Sequence, residues 1–228
     1  MLWLLSCEHY CNDLPPEYAD LFLNAVDVLE SHRGYDIGVA PLYTRLKSLF
    51  DAAFFYPYSR LLVEPNRSMH HRRLFSEFTL CLSGARKAEL LDRYYRPYRD
   101  RVEQYIQNNI DQGVMHISVH SFTPFMENQR RQTPLGILFD SRRKPERDLA
   151  VVMKNCFREV SPSTQVRFNY PYRGNADGFT SYLRKRFPEN YVGFELEVRN
   201  DVIPDLGGDL YEGLTNMREG DLLAGVTG

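Results

Sequence analysis

Along the chain, short apolar runs alternate with segments whose apolar positions recur at helical spacing. Leu2–Cys7 is an uninterrupted apolar run, the pattern of a strand buried on both faces of a parallel sheet. Residues 17–30 carry Tyr18, Leu21, Phe22, Ala25, Val26 and Leu29 on one helical face. Residues 41–50 repeat this with Leu42, Leu46 and Leu49 behind Pro41, a residue suited to a first helical turn. Short strands are predicted at 52–56 and 60–63, and 85–110 reads as a helix that Pro97 should break or kink. Further strands are predicted at 114–120, 135–139, 166–168 and 191–198. Helices are predicted at 147–159 and 178–187, with helix and tail closing the chain. This alternation predicts an α/β sandwich on a mainly parallel sheet. Neither a fixed-period repeat nor a Pro/Gly/Ser-rich linker interrupts it, so one domain spanning 1–228 is expected.

Composition narrows the function. At 43% hydrophobic, the 228 residues can bury a core and are not a disordered chain. Lys plus Arg number 28 against 30 Asp plus Glu, a net charge of -2, which removes a global electrostatic case for nucleic acid. The opening Met1-Leu2-Trp3-Leu4-Leu5 is too short to span a bilayer, lacks a basic n-region and soon meets Glu8 and His9. Cys7, Cys11, Cys81 and Cys156 form no disulfide framework, and C-x-x-x-C is neither a redox nor a zinc-ribbon spacing. Reduced thiols, a cytoplasmic location and a small-molecule partner are expected, with no nucleic-acid or membrane partner.

In open α/β sheets ligands collect beyond the carboxyl ends of the strands. Those ends here carry Cys7-Glu8-His9, Glu64-Pro65-Asn66-Arg67, His120-Ser121 and Glu197-Val198-Arg199. Glycine-rich nucleotide loops, G-x-S-x-G and H-E-x-x-H are absent. His116 and His120 share a strand, so they lie roughly 13 Å apart on one face and only one can join a given site. His120, at the strand end, is the candidate; its alternative is a satisfied core histidine. Glu8 and His9 are both good zinc ligands, with Glu8 ranked above Asn12, and their alternative is a surface pair opening a loop. Glu195 and Glu197 fall on one face of an apolar strand, where two acids are costly unless paired or bound. Asn66-Arg67 could grip a substrate carboxylate through the guanidinium fork, or form an ordinary salt bridge with Asp36. His70-His71-Arg72-Arg73 reads as a solvated loop or helix start.

Taken in order, LLSCEHYCNDLP, SHRGYDIGV, SRLLVEPNRS, YYRPYRDRVE, ISVHSFTP, NYPYRGNADG and GFELEVRND resemble the N-formylglutamate amidohydrolase family, related to zinc carboxypeptidases and aspartoacylases. The resemblance implies a three-layer α/β/α fold with a mainly parallel mixed sheet, like that of the zinc carboxypeptidases. It also implies one Zn2+ per chain, with other divalent ions acceptable to the same ligands. By that resemblance Glu8, His9 and His120 are the metal ligands, with the choice among Glu8, His9 and Asn12 open because H-x-x-E is missing. Asn66 and Arg67 hold the substrate carboxylate, Glu197 is the general base, Asp36 belongs to the D-I-G segment, and Arg131 follows the histidine segment. Arg131 and Arg60 are both candidates to stabilise the oxyanion, and Arg60 also to bind substrate. The implied activity is hydrolysis of an N-acyl amino acid, N-formyl-L-glutamate or a similar N-acylated carboxylate. The alternatives are a non-catalytic small-molecule or metal-binding protein on the same fold, and a hydrolase of an unrelated acylated amine or peptide.

Overall fold

The strands are β1 (Leu2–Cys7), β2 (Ala52–Phe55), β3 (Val114–Phe122), β4 (Phe125–Met126), β5 (Gln129–Arg130), β6 (Leu135–Leu138), β7 (Val166–Phe168) and β8 (Tyr191–Arg199). The helices are α1 (Val26–Leu29), α2 (Val39–Leu46), α3 (Gly84–Leu90), α4 (Arg96–Asn109), α5 (Lys144–Val160), α6 (Phe179–Arg186) and α7 (Ile203–Glu219). This computed structural model describes residues 1–127 and 129–220, and the last part of the expected closing tail lies outside them. Six strands form one sheet in the order β2-β1-β3-β8-β6-β7. β2, β1, β3 and β8 run parallel; β6 is antiparallel to β8, and β7 follows β6. The result is a three-layer α/β sandwich on a mixed, mostly parallel sheet.

Strand alternation assigns the two faces. Trp3 and Leu5 of β1, Met115, Ile117 and Val119 of β3, and Phe194, Leu196 and Val198 of β8 join one core cluster with α2, α5 and α7. Each such fully buried apolar side chain contributes about 1.5–3 kcal/mol. The other face carries Leu4, Val114 and Tyr191, covered by Leu90 of α3, Tyr98, Val102 and Ile106 of α4, and Phe179 and Leu183 of α6. Between these apolar patches the same face presents His116, Ser118, His120 and Glu197, all buried. The polar residues run toward the carboxyl end of the sheet.

Two local expectations are corrected. Residues 17–30 do not form one helix: Pro16–Phe22 is a 3-10 segment and α1 a single turn. Leu23 and Val26 are 71% and 55% exposed, so the apolar face is not continuous, and neither segment has a side-chain N-cap. Residues 60–63 are turns rather than a strand, although Leu61, Leu62 and Val63 are buried. Ser59 supplies the alternative to a ladder, its hydroxyl accepting from Leu61 N–H and its carbonyl from Leu62 N–H. Between α3 and α4 the chain is helical throughout, with a π turn at Leu91–Tyr95. The α-helical pattern thus breaks just before Pro97, which falls in the first turn of α4, as the proline led one to expect.

β3 extends two residues past the expected end, and a small hairpin, β4–β5, follows it unannounced by the sequence pattern. All four cysteines are free. Among the described residues no helix is long and apolar enough to cross a membrane.

Candidate active site

β1 and β3 are parallel neighbours, so the residues at their carboxyl ends lie side by side: His9 just past β1 and His120 near the end of β3. Asp36 reaches them from the turn before α2, where its N–H donates to the His9 carbonyl at 3.0 Å. His9 Nδ1 and His120 Nδ1 are 3.1 Å apart, and Asp36 Oδ2 lies 3.1 Å from His120 Nδ1 and 3.4 Å from His9 Nδ1. All three residues are buried. At ordinary zinc–nitrogen and zinc–oxygen lengths, donors in a tetrahedral site lie about 3.3 Å apart. The triangle therefore has the size of one face of such a site.

The outer nitrogens of both imidazoles fix where the protons are. His9 Nε2 is 2.6 Å from Glu64 Oε1, and an ionised carboxylate can only accept, so Nε2 carries the hydrogen. Glu64 is itself held by Arg60 Nε at 2.7 Å and the Asn66 N–H at 3.1 Å. His120 Nε2 lies 2.8 Å from Ser118 Oγ, whose own hydrogen goes to Glu8 Oε2. Ser118 therefore accepts from His120 Nε2–H. In the neutral form of each imidazole the Nδ1 atom therefore turns its lone pair toward Asp36 Oδ2. Three acceptor atoms converge, Asp36 Oδ2 also accepting the Ser121 N–H at 3.0 Å, an arrangement that a cation, whether a proton or a metal ion, resolves.

The electrostatics point the same way. Burial by itself opposes ionisation of Glu8, Glu64 and Asp36, yet neighbouring histidines, Arg60 and hydrogen bonds hold all three below the ordinary carboxylate range. Burial also opposes charge on His9 and His120. At His9 Arg60 adds to that opposition, but Glu64 and Asp36 prevail, and at His120 Asp36 and Glu8 do; both pKa values are raised. The pocket favours positive charge at its centre.

Glu197 behaves differently. It is paired in register with His120 across β3 and β8, so both side chains occupy the same face. Burial is the main cause that pushes its pKa up to about 7; Asp36 and Glu195 add to the rise, and His120 opposes it. Among the described residues Glu197 Oε2 has no hydrogen-bond partner, although it is buried. Glu195, opposite Ser118, accepts from Thr180 Oγ1 at 2.6 Å.

The remaining candidates fall around this centre. Glu8 lies on the far side of His120, 3.3 Å from Nε2, and accepts from Tyr98 OH at 2.7 Å; the donor triangle contains Asp36 in its stead. Asn12 donates its amide to the Leu29 carbonyl at 3.1 Å. Asn66 Oδ1 accepts the Phe179 N–H at 2.7 Å, and Arg67 donates to the Asp177 carbonyl. Arg60 is clamped between Glu64 and Asp36, 3.4 Å from Asp36 Oδ1. Burial works against its charge, but Glu64, Asp36 and, more weakly, Tyr172 hold its pKa above the ordinary value. Arg131 lies at the rim, beside Phe122 and Tyr172. His116 is a satisfied core histidine between Tyr191 OH at 2.8 Å and Ser6 Oγ at 2.7 Å, and burial lowers its pKa to about 4.

Two residues of the centre were not singled out for it from sequence. Asp36 carried a signal, an acid between Gly34 and Gly38 just before an apolar helix. Glu64 stood at one of the named strand ends but had no role.

Fold and site together define an α/β protein with a buried His-Asp-His donor cluster and a carboxyl group beside it at the carboxyl edge of the sheet. The N-formylglutamate amidohydrolase family model matches residues 1–204, and the chain belongs to this family. Among solved structures it is similar to the gene product Atu2144 from Agrobacterium tumefaciens, at 26% identity and a TM-score of 0.79, covering 99% of this chain and 92% of that one. More distant similarities include the CwlD amidase from Clostridioides difficile in complex with the GerS lipoprotein (11% identity, TM-score 0.43, 98% and 99% covered). Another is a metallo-carboxypeptidase from Burkholderia cenocepacia (13% identity, TM-score 0.38, 97% and 56% covered). No curated protein matches the chain in sequence.

Proposed function

We propose that the protein is a metal-dependent amidohydrolase, acting as a single domain on a small N-acyl amino acid of the N-formyl-L-glutamate type. The observation that carries this reading is the buried Glu197 Oε2, without a hydrogen-bond partner among the described residues, in register with His120 of the His9-Asp36-His120 donor triangle. His9, Asp36 and His120 are the proposed ligands of a divalent ion, zinc by the match of donor types and spacing, with Glu64 and Ser118–Glu8 orienting the two imidazoles. When bound, such an ion supplies Lewis acidity toward water and the acyl carbonyl.

The chain's own groups then divide the work. Glu197, with a pKa near neutrality, takes a proton from the attacking water on Oε2 and returns it to the departing amine nitrogen. Arg60, fixed beside Asp36, is the arginine assigned to the developing oxyanion, because its Nη1 retains donor capacity after its ion pairs. Asn66 and Arg67 are assigned to the substrate's α-carboxylate: the Asn66 carbonyl oxygen is engaged by α6, while the guanidinium of Arg67 has donors beyond its bond to Asp177. A cytoplasmic location agrees with four free thiols and remains part of this proposal.

The test is hydrolysis of N-formyl, N-acetyl and dipeptide substrates by zinc-loaded protein. Turnover of an N-acyl amino acid is expected, and Glu197→Gln should lower it by about 10²-fold or more while leaving bound zinc unchanged. An unimpaired Glu197→Gln variant removes the base assignment, and no turnover of any substrate favours a binding protein on this fold.

A further inference from the structure

Among the described residues three arginines are buried: Arg99, Arg184 and Arg199. Arg184 pairs with Glu146 and Arg199 with Asp201, but no carboxylate among the described residues pairs with Arg99. Burial draws the Arg99 pKa below its ordinary value, and Tyr95, Tyr182 and Glu8 oppose this without cancelling it. A buried cation without a counter-ion is costly, so what holds this one in place matters.

Rings and carbonyls take the place of the carboxylate. The guanidinium carbon lies 4.2 Å from the centre of the Phe179 ring, 4.7 Å from that of Tyr182 and 5.0 Å from that of Tyr95, all within cation–π range. Nη1 donates to the Pro65 carbonyl at 2.9 Å and to the Arg67 carbonyl at 3.3 Å, the two carbonyls that flank Asn66. The Arg67 carbonyl also accepts from Tyr95 OH at 2.6 Å. Residues 65–67 are turn and bend, with no ladder or helix to fix them, so these side chains do so. From the opposite side α6 holds the same segment. The Phe179 N–H donates to Asn66 Oδ1 at 2.7 Å, and Gly178 packs so closely that a Cβ there would lie 3.2 Å from that oxygen. The Ser68 N–H closes the contact by donating to Asp177 Oδ2 at 3.1 Å.

We propose that Arg99 is a positioning residue. By gripping the Pro65 and Arg67 carbonyls from a seat among three aromatic rings, it fixes the backbone on both sides of Asn66. Asn66 and Arg67 are thereby held ready for the substrate's α-carboxylate, which Arg99 itself does not touch. The inference rests on the assignment of that carboxylate to Asn66 and Arg67. A lysine keeps the charge at this position, but its ammonium cannot stack as a planar guanidinium does.

The test compares kcat/KM for N-formyl-L-glutamate and its α-carboxamide on zinc-loaded wild type, Arg99→Ala, Arg99→Lys and Arg67→Met, with bound zinc and thermal melting as controls. Wild type should favour the α-carboxylate by about tenfold or more, and Arg67→Met should erase that ratio. Arg99→Ala should lower the ratio about tenfold through KM for the carboxylate substrate alone, and Arg99→Lys should keep part of it. An Arg99→Ala ratio equal to wild type overturns the proposal while Arg67→Met still loses it. Equal loss on both substrates also overturns it, and would mean that Arg99 serves stability only. If Arg99→Ala does not fold, Arg99→Lys decides: a lowered ratio sustains the proposal and an unchanged one overturns it. If wild type shows no preference, or Arg67→Met keeps it, the carboxylate assignment fails and the inference falls with it. If wild type hydrolyses neither substrate, the amidohydrolase reading fails and Arg99 is judged by calorimetric binding of N-acetyl-L-glutamate against its α-carboxamide. A preference lost in Arg99→Ala sustains the proposal; no preference, or one unchanged in that variant, overturns it.

Discussion

The two faces of β3 are equally buried and chemically opposite. Met115, Ile117 and Val119 pack into an apolar cluster in which size and shape are all that matter. His116, Ser118 and His120 alternate with them, and each survives burial only through a named partner: Tyr191 and Ser6 for His116, Glu8 for Ser118, Ser118 and Asp36 for His120. Burial is thus no guide to role in this sheet. The apolar face supplies stability, whereas the polar face consumes it to hold lone pairs and one carboxyl group where chemistry needs them.

Breaking the apolar face should produce the largest effect. Phe194→Ala is expected to lower unfolding free energy by about 3–5 kcal/mol in denaturant titration, while the folded protein keeps wild-type zinc stoichiometry. Loss of zinc in that folded protein would mean the two faces are not separable.

On the polar face one substitution should stabilise. The folded pKa of Glu197 is raised to about 7 from an ordinary 4.5, so the folded state binds the proton more tightly, and stability falls as pH rises from 4.5 through 7. In chelator-treated protein Glu197→Gln removes that penalty, worth up to about 3 kcal/mol at pH 8 and vanishing below pH 4.5. Denaturation curves at both pH values measure it; a variant less stable than wild type at pH 8 would contradict the assignment. Smaller still, Glu8→Gln and Glu64→Gln should each weaken zinc binding about 10–100-fold in competition with a chelating dye. An unchanged affinity in both would remove their orienting role.

The same contrast explains what could be read from the chain. β1, β3, β6 and β8 were legible because continuous apolar runs in an α/β pattern have few other uses. Residues 60–63 misled because Leu61, Leu62 and Val63 are as apolar as a strand, while Ser59 and Pro57 commit the segment to turns. Within the site, period-two alternation correctly put Glu195 and Glu197 on one face, the face of Ser118 and His120. That rule also bears on Glu8 and His9. Successive residues leaving an extended strand aim in different directions, so Glu8 goes beneath His120 Nε2 while His9 turns its Nδ1 into the donor triangle. Asp36 could not be placed by local pattern, because the turn before α2 brings it 27 residues forward to meet His9. Arg60 and Arg131 looked interchangeable in sequence; one is bound into the carboxylate shell and the other rests on aromatic rings.

The most direct test is zinc content by elemental analysis after equilibration with zinc well above the wild-type dissociation constant. Wild type should hold one ion per chain, His120→Ala and Asp36→Asn almost none, and Glu8→Gln close to one. A wild type that binds no zinc, or an Asp36→Asn variant fully loaded while Glu8→Gln is empty, would contradict the His9-Asp36-His120 centre.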